Sequence, residues 1–286
     1  MFQPLAHNRW EKFKNTLALT IKEFKPDLLM LLIKPLKSFL KLACYVTLAQ
    51  MALQSIVTAE PQADVKAILI HPDRPAADGE RDSQRQPANL LSFAGLEEDM
   101  TVLDMEAAGG YFTEILSRSV GPKGTVIMQH APGLMGFVGD GIDVRTADNR
   151  LPNVRVSITN FDSLDVDDNS VDLVTWLQGP HELGFAPGGN SLGDPSKTFE
   201  EIARVLKPGG VFLASDHIAP NGAGIEAGGT LHRVAQTVVS ELAEEAGLSI
   251  LRTSDLLKNS DDPLDVGVFS PEVRGKTSQF VVLFQK

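Results

Sequence analysis

From Thr101 onward the sequence alternates short apolar runs with segments of helical period, and that alternation leaves few architectures open. Thr101–Asp104 (TVLD), Thr125–Gln129 (TVIMQ), Val154–Ile158 (VRVSI), Val171–Leu177 (VDLVTWL) and Val211–Ser215 (VFLAS) read as strands. Between the first two, Phe112, Ile115, Leu116 and Val120 mark one helix face, which Gly121-Pro122 stops. Phe199, Ile202, Ala203 and Leu206 mark a second helix, ended by Lys207-Pro208-Gly209-Gly210; Leu231, Val234, Val238 and Leu242 mark a third, ended by Gly247. Leu248–Leu251 and Phe280–Phe284 supply two last strands. The expected fold is α/β: a doubly wound, mostly parallel seven-stranded sheet covered on both faces, with an N-terminal helical extension.

Charge and cysteine usage remove several functional classes. Residues 1–59 hold eight Lys and Arg against three Asp and Glu, leaving 18 against 34 for the rest. A body so acidic is unsuited to gripping phosphates, so no nucleic-acid partner is expected. The one cysteine, Cys44, lies in the basic leader, so the body has neither an internal disulfide nor a thiolate metal site. Lys34 and Lys37, the apolar run Leu40–Ala59 and the small residues of Val57-Thr58-Ala59 form a secretory-leader pattern. The run is interrupted by Lys41, Gln50 and Gln54 and falls short of the about 20 apolar residues of a spanning helix. The expectation is a leader cleaved after Ala59, a periplasmic or secreted body, and membrane contact only through the leader; an anchored chain and a buried N-terminal hairpin are the alternatives. Residues 60–76 read as a linker and 77–286 as the α/β domain. Asp78, Arg81, Asp82 and Arg85 precede Leu90, Leu91 and Phe93 as a charged helix, either a solvated face or a lid over a ligand site.

The first strand and its turn read VLDMEAAGGYFTEIL over residues 102–116. In an open α/β sheet, ligands bind beyond the carboxyl ends of the strands, where a tight turn and a helix N-terminus present free N–H groups. Gly109 and Gly110 permit close backbone approach there, Tyr111 opens the helix, and Asp104 can accept from an ammonium or a hydroxyl. A later segment, EEIARVLKPGGVFLASDH over residues 200–217, is a helix, a Pro-Gly-Gly turn and a strand. Together these two segments resemble the class I S-adenosylmethionine-dependent methyltransferases. HPDRPAADGERDSQR, LPNVRV, GTLHRV and VFSPEVRGKTSQFVV are similar to segments of a bacterial group of methyltransferase-like proteins that often carry secretory leaders, so the resemblance covers about residues 70–286. It implies a Rossmann-like methyltransferase fold, S-adenosylmethionine as cofactor, and methyl transfer to a small acceptor.

The chain departs from that family's Asp-x-Gly-x-Gly-x-Gly turn, with Glu106 and Ala108 at the first two glycine positions and Gly110 at the third. The Glu106 carboxylate either clashes with the cofactor's methionine end or binds its ammonium. The resemblance puts ribose recognition at the end of the second strand, where Gln129 and His130 replace the usual acid, and adenine recognition at Asp162, whose plain reading is an Asx turn. Acceptor-side groups should follow the fourth and fifth strands. There Gln178, His181 and Glu182, then Asp216 and His217, then His232 and Arg233 occur, with His181 the candidate base and Asp216 and His217 its catalytic companions. Without an HxH or HxxxH pair, no metal site is expected. Two other classes of answer stand beside the enzyme: a non-catalytic envelope protein that keeps the fold, and a nicotinamide oxidoreductase, which lacks a complete GxGxxG turn.

Overall fold

A computed structural model describes residues 63–286 of the protein. The expected leader and its cleavage site lie outside the described residues. Seven strands, β1 (Thr101–Asp104), β2 (Thr125–His130), β3 (Val154–Ile158), β4 (Val171–Leu177), β5 (Leu206–His217), β6 (Ser249–Ser254) and β7 (Gln279–Gln285), form one sheet in the order β3-β2-β1-β4-β5-β7-β6. Neighbours from β3 to β5 pair parallel, and β7 runs antiparallel between β5 and β6. The chain order reverses beside β1, so the ends of β1 and β4 flank the crevice in which open sheets of this kind bind ligands.

Alternation within the strands explains why both faces are covered. Leu103, Val174, Phe212 and Val282 point into one apolar cluster with Trp176, Phe161 and Phe199. Their neighbours Val102, Leu173, Leu213 and Val281 point into the other, with Leu90, Ile115 and Leu116. A strand buried on both faces has no polar side, so it reads as a continuous apolar run in sequence. Only the edge strand β6 is exposed along its length, and its Arg252 donates to the Phe93 carbonyl, a charge that discourages pairing with another chain.

Ten α-helical segments surround the sheet among the described residues: α1 (Val65–Leu69), α2 (Ala76–Gly79), α3 (Asp82–Arg85), α4 (Pro87–Ala94), α5 (Tyr111–Val120), α6 (Met135–Val138), α7 (Gly141–Thr146), α8 (Pro195–Val205), α9 (Ala227–Leu231) and α10 (Gln236–Glu245). Helix α8 starts where Pro195 takes the first turn and Asp194 accepts from the Lys197 N–H at 3.0 Å. None of the described helices is long and apolar enough to cross a membrane.

Three expectations need correction. Residues 65–69, assigned to a linker, form a helix capped by Asp64, with Val65 buried against α4 and α5. Its shortness leaves no periodicity to read. The third helix does not begin at Leu231. Val234 instead pairs with Ile218 through an isolated bridge, Arg233 turns inward to Asp262, and α10 starts at Gln236. The KPGG turn belongs to β5 itself: Leu206 pairs with Val171 before the register shifts to Leu173 and Val211.

The Arg233–Asp262 pair ties the β5 exit to the loop before β7, with both side chains fully buried and Nη1 to Oδ2 at 2.8 Å. Asp262 also accepts from the Ser278 N–H at 2.6 Å, and Arg233 donates to the Ile218 and Val266 carbonyls. Removing one partner strands the other charge in the interior, a loss of about 3–5 kcal/mol. Asp262→Ala should therefore lower the urea midpoint by an amount equivalent to that loss, whereas Arg252→Ala on the exposed edge should cost under about 1 kcal/mol.

Candidate active site

The cleft lies beyond the carboxyl ends of β1 and β4 and encloses about 410 Å³, within the range of small-molecule sites. Its floor is the turn from Asp104 to Gly109; Arg81, Arg85 and Tyr111 form one side, Leu134, Phe137 and Val138 another, and Gln178, Glu182, Phe185, His232 and Phe269 the far wall. The segment 78–85 is split between α2 and α3 rather than forming one helix, and it borders the cleft rather than presenting only a solvated face. Its arginines are part of the wall, laid over Tyr111 with Arg81 and Arg85 at 4.9 and 4.8 Å from the ring centre.

The turn keeps a glycine backbone without the glycines. Glu106, Ala108 and Gly110 have φ of 44°, 46° and 73°, all left-handed, at the three positions where the resemblance puts glycine. The fold therefore requires this conformation whatever residue stands there, and the two side chains that adopt it carry about 1–2 kcal/mol each of strain. Gly110 is fixed by packing as well as by φ, since a Cβ there would lie 2.9 Å from Arg145 Cγ and from Met128 Cε. It opens α5 but does not line the cleft, so its expected cofactor contact is replaced by a packing role. Gly109 does line it.

Two expected cofactor ligands are spent on the protein itself. Asp104 is buried, accepting from Thr113 Oγ1 at 2.7 Å and from Thr175 Oγ1 at 2.9 Å. Burial pushes its pKa up to about 6, with both hydroxyls and Arg85 opposing. Gln129 is fully buried; its Nε2 donates to the Thr159 carbonyl at 2.8 Å and its Oε1 accepts from the Glu106 N–H at 3.0 Å. The amide is buried and does not line the cleft. Asp162 stands away from the cleft and accepts from the Asp194 N–H at 2.9 Å, which fixes the approach to α8 and corrects both the adenine and the Asx-turn readings. The Tyr111 hydroxyl donates to Asp82 at 2.6 Å, so only its ring faces the cleft.

Glu106 carries the acid that the end of β2 lacks. Its Oε2 accepts from the Ala131 N–H at 3.1 Å, immediately past β2, and its side chain lines the cleft. Burial pushes its pKa up to about 7; the Ala131 N–H opposes the shift, and the Glu182 and Asp104 charges add to it. Gln178, with φ of 61°, holds the end of β4 through its N–H to the Ser215 carbonyl at 2.7 Å and lines the cleft.

On the acceptor side, Asp216 is fully buried at the end of β5 and receives three donors. The His181 and His217 N–H groups each donate at 2.7 Å, and His181 Nδ1 lies 2.8 Å from Oδ1. Burial opposes a charge on His181, but the attraction and hydrogen bond of Asp216, with Glu182 adding, push its pKa up to about 10. His181 itself is one residue layer behind the wall; Glu182, 3.5 Å from its Nε2, and His232, with ring centres 5.5 Å apart, are the groups that face the cleft. His217 turns the other way, with Nδ1 2.7 Å from Thr277 Oγ1, and burial lowers its pKa to about 4, so its expected catalytic place is corrected to a structural one.

Sequence reasoning missed Arg145. It donates to Glu114 at 2.5 Å, to Asp78 at 2.8 Å and through two nitrogens to the Gly109 carbonyl, so it clamps the turn. The signal was Glu114, an acid inside an apolar helix face: fully buried, it requires cations, and Arg118, Arg145 and Arg150 supply them.

A family model described as a methyltransferase domain matches residues 142–254, beginning after the altered turn. A ubiquinone/menaquinone biosynthesis C-methyltransferase of Hydrogenovibrio crunogenus is 33% identical over 125 residues, 44% of this chain and 45% of that protein. The chain therefore spans about half the length of such relatives. A crystal structure of an S-adenosylmethionine-dependent methyltransferase from Aquifex aeolicus aligns with a TM-score of 0.53 at 24% identity, covering 78% of this chain and 98% of that one. A geranyl diphosphate methyltransferase aligns at 0.55 and 13% identity, covering 79% and 87%.

Two measurements check the turn. Ala108→Gly relieves left-handed strain at some cost in chain entropy and should stabilise the protein by up to about 1 kcal/mol in denaturant melts. Glu106 has a folded pKa above its unfolded value. Between about pH 4.5 and about pH 7 the folded state thus holds a proton that the unfolded chain has released, and stability falls as pH rises through that window. Glu106→Gln should lose this part of the fall, gaining on the parent protein between pH 5 and pH 8 in urea midpoints. The strand order, the matched domain and these relatives together identify the body of this chain as having the fold of the class I S-adenosylmethionine-dependent methyltransferases.

Proposed function

We propose that the protein transfers a methyl group from S-adenosylmethionine to a small acceptor with an apolar face. The observation that carries this reading is the charge pattern of the cleft: Glu106 and Glu182 face one end, and Arg85 faces it without a carboxylate partner among the described residues. A ligand with a sulfonium, an ammonium and a carboxylate meets that pattern in all three charges. When bound, S-adenosylmethionine supplies an electrophilic methyl group on a cationic sulfur.

The chain's own residues then have separate tasks. Glu106 pairs the methionine ammonium. Arg85 pairs the methionine carboxylate, and burial, which lowers its pKa, makes a carboxylate partner favourable. Leu134, Phe137 and Val138 give the adenine an apolar wall. Gln178 and the backbone of residues 107–109 orient the methionine end. Phe185 and Phe269 on the far wall exclude water and suit a ring or chain substrate, as do the relatives named for quinone biosynthesis. His181 and Asp216 act as positioning residues for Glu182 rather than touching the acceptor. The leader pattern of Lys34, Lys37 and the run to Ala59 supports a periplasmic or secreted body.

A second reading, a non-catalytic protein with this fold, is favoured by one observation: Asp104 and Gln129 are satisfied internally. Binding decides between them. S-adenosylhomocysteine at 100 times its dissociation constant should add roughly 2.7 kcal/mol of stability, raising the melting temperature by several degrees. Arg85→Gln should weaken binding about tenfold or more in calorimetry. No shift with either S-adenosylmethionine or S-adenosylhomocysteine at millimolar concentration sinks the enzyme reading.

A further inference from the structure

The far wall of the cleft holds a cluster whose parts come from separate loops. His181 and Glu182 follow β4, Asp216 ends β5, and His232 follows α9. One ligand atom from each of His181, Glu182 and His232 lies within 4.8 Å of the others. We propose that these three residues bind a divalent transition-metal ion of the zinc class, with Asp216 as the carboxylate that orients His181 and with an open coordination position facing the cleft. This goes beyond methyl transfer and does not depend on it.

Four observations carry the assignment. First, Asp216 holds Nδ1 of His181 at 2.8 Å and also takes the His181 N–H, so the ring is locked with Nε2 directed at Glu182. A carboxylate on one imidazole nitrogen and a metal on the other is the usual outer-sphere arrangement of metal-binding histidines. Second, Glu182 Oε2 is buried with no hydrogen-bond partner, and its Oε1 has only the 3.5 Å approach to His181. The Oε2 atom has acceptor capacity that His181 does not use. Third, two imidazoles and one carboxylate with room for a further ligand match the donor set of three-ligand zinc sites.

Fourth, the fold brings the donors together by glycine contact. A Cβ on Gly228 would lie 1.9 Å from the His181 carbonyl oxygen, and one on Gly184 1.9 Å from the Ile225 oxygen. Helix α9 can therefore dock on the 181–184 loop only because both positions lack a side chain. His232, at φ 52°, then turns its ring between His181, Phe185 and Phe269. A tetrahedral ion needs donors about 3.4 Å apart. On binding, the partly exposed His232 and Glu182 would have to close the triangle by rotating toward the buried His181. The histidines are 51 positions apart, so no short-spaced motif announces them in the sequence.

The test is titration of the full chain, first stripped with chelator, with Co²⁺ as a spectroscopic probe and Zn²⁺ as competitor. One equivalent of Co²⁺ per chain should bind with the intense visible absorption of a four- or five-coordinate site, and Zn²⁺ should displace it. Glu182→Gln keeps the size of the side chain, and His232→Asn keeps a residue tolerant of the left-handed backbone. Each should weaken Co²⁺ binding by about tenfold or more and bleach the band, while melting in chelator stays that of the parent. Asp216→Asn should weaken it by about 10- to 100-fold through His181. Absence of the band in the parent, or a band unchanged in both Glu182→Gln and His232→Asn, overturns the proposal. Because metal is read without cofactor, failure here leaves the methyltransferase reading standing, and failure of cofactor binding leaves the metal site standing.

Discussion

The Glu114 carboxylate, buried in α5 and ringed by Arg118, Arg145 and Arg150, is the interaction on which the cleft depends. Burying an unpaired carboxylate is so costly that three guanidiniums must converge on it, and each comes tethered to another element. Arg150 reaches the Asp73 carbonyl, while Arg145 reaches Asp78 of α2 and the Gly109 carbonyl of the turn. The N-terminal helices, α5, α7 and the floor of the cleft are thereby fixed to one point. Arg81 and Arg85 reach the ligand side only because this network holds the short helices α2 and α3 in place. Neither helix is long enough to be stable by itself.

The second constraint is the left-handed turn. Its three positive φ values leave the turn's shape independent of glycine content, so what changed at Glu106 is the side chain presented and not the path of the backbone. The turn has traded an open floor for a carboxylate beside the Ala131 N–H. In the same region Gln129 braces the Glu106 N–H and the Thr159 carbonyl. The two departures that look independent in the sequence are one hydrogen-bonded unit.

That coupling marks where sequence reading works and where it stops. β1 and β4 are legible to the residue because strands buried on both faces write their burial into consecutive apolar positions, and the edge strand β3 is legible because Val154, Val156 and Ile158 alternate with polar residues. The turn's location follows from topology. By contrast, Val234 looks like a helix-face residue but is consumed by a bridge to Ile218, and the linker helix α1 is too short to show a period. In the site, Asp104 and Asp162 carry the right residue type in the right place. Each is also held by a partner far away in the chain, Thr175 for one and Asp194 for the other. Hydrogen-bond satisfaction is a property of three-dimensional neighbours and leaves no local pattern. Arg145 could have been sought from Glu114, since an acid on an apolar face demands a cation, though not which one.

The electrostatics of the cleft connect its halves. Asp104, Glu106 and Glu182 stand close enough that the charges of Asp104 and Glu182 raise the pKa of Glu106, on top of what burial does. Arg85 and Arg81, the latter already paired with Asp78 at 2.6 Å, stand opposite, so ionising Glu106 in the cleft is costly. A neutral ligand would displace water and deepen that cost. A cationic group beside Glu106 repays its desolvation and draws its pKa down. The wall is therefore built to select positive charge, at the floor by Glu106 and at the acceptor side by Glu182 behind which Asp216 holds His181. The same selection sets the nicotinamide alternative aside on physical grounds, since a dinucleotide would carry its pyrophosphate against a floor whose nearest side chain is an acid.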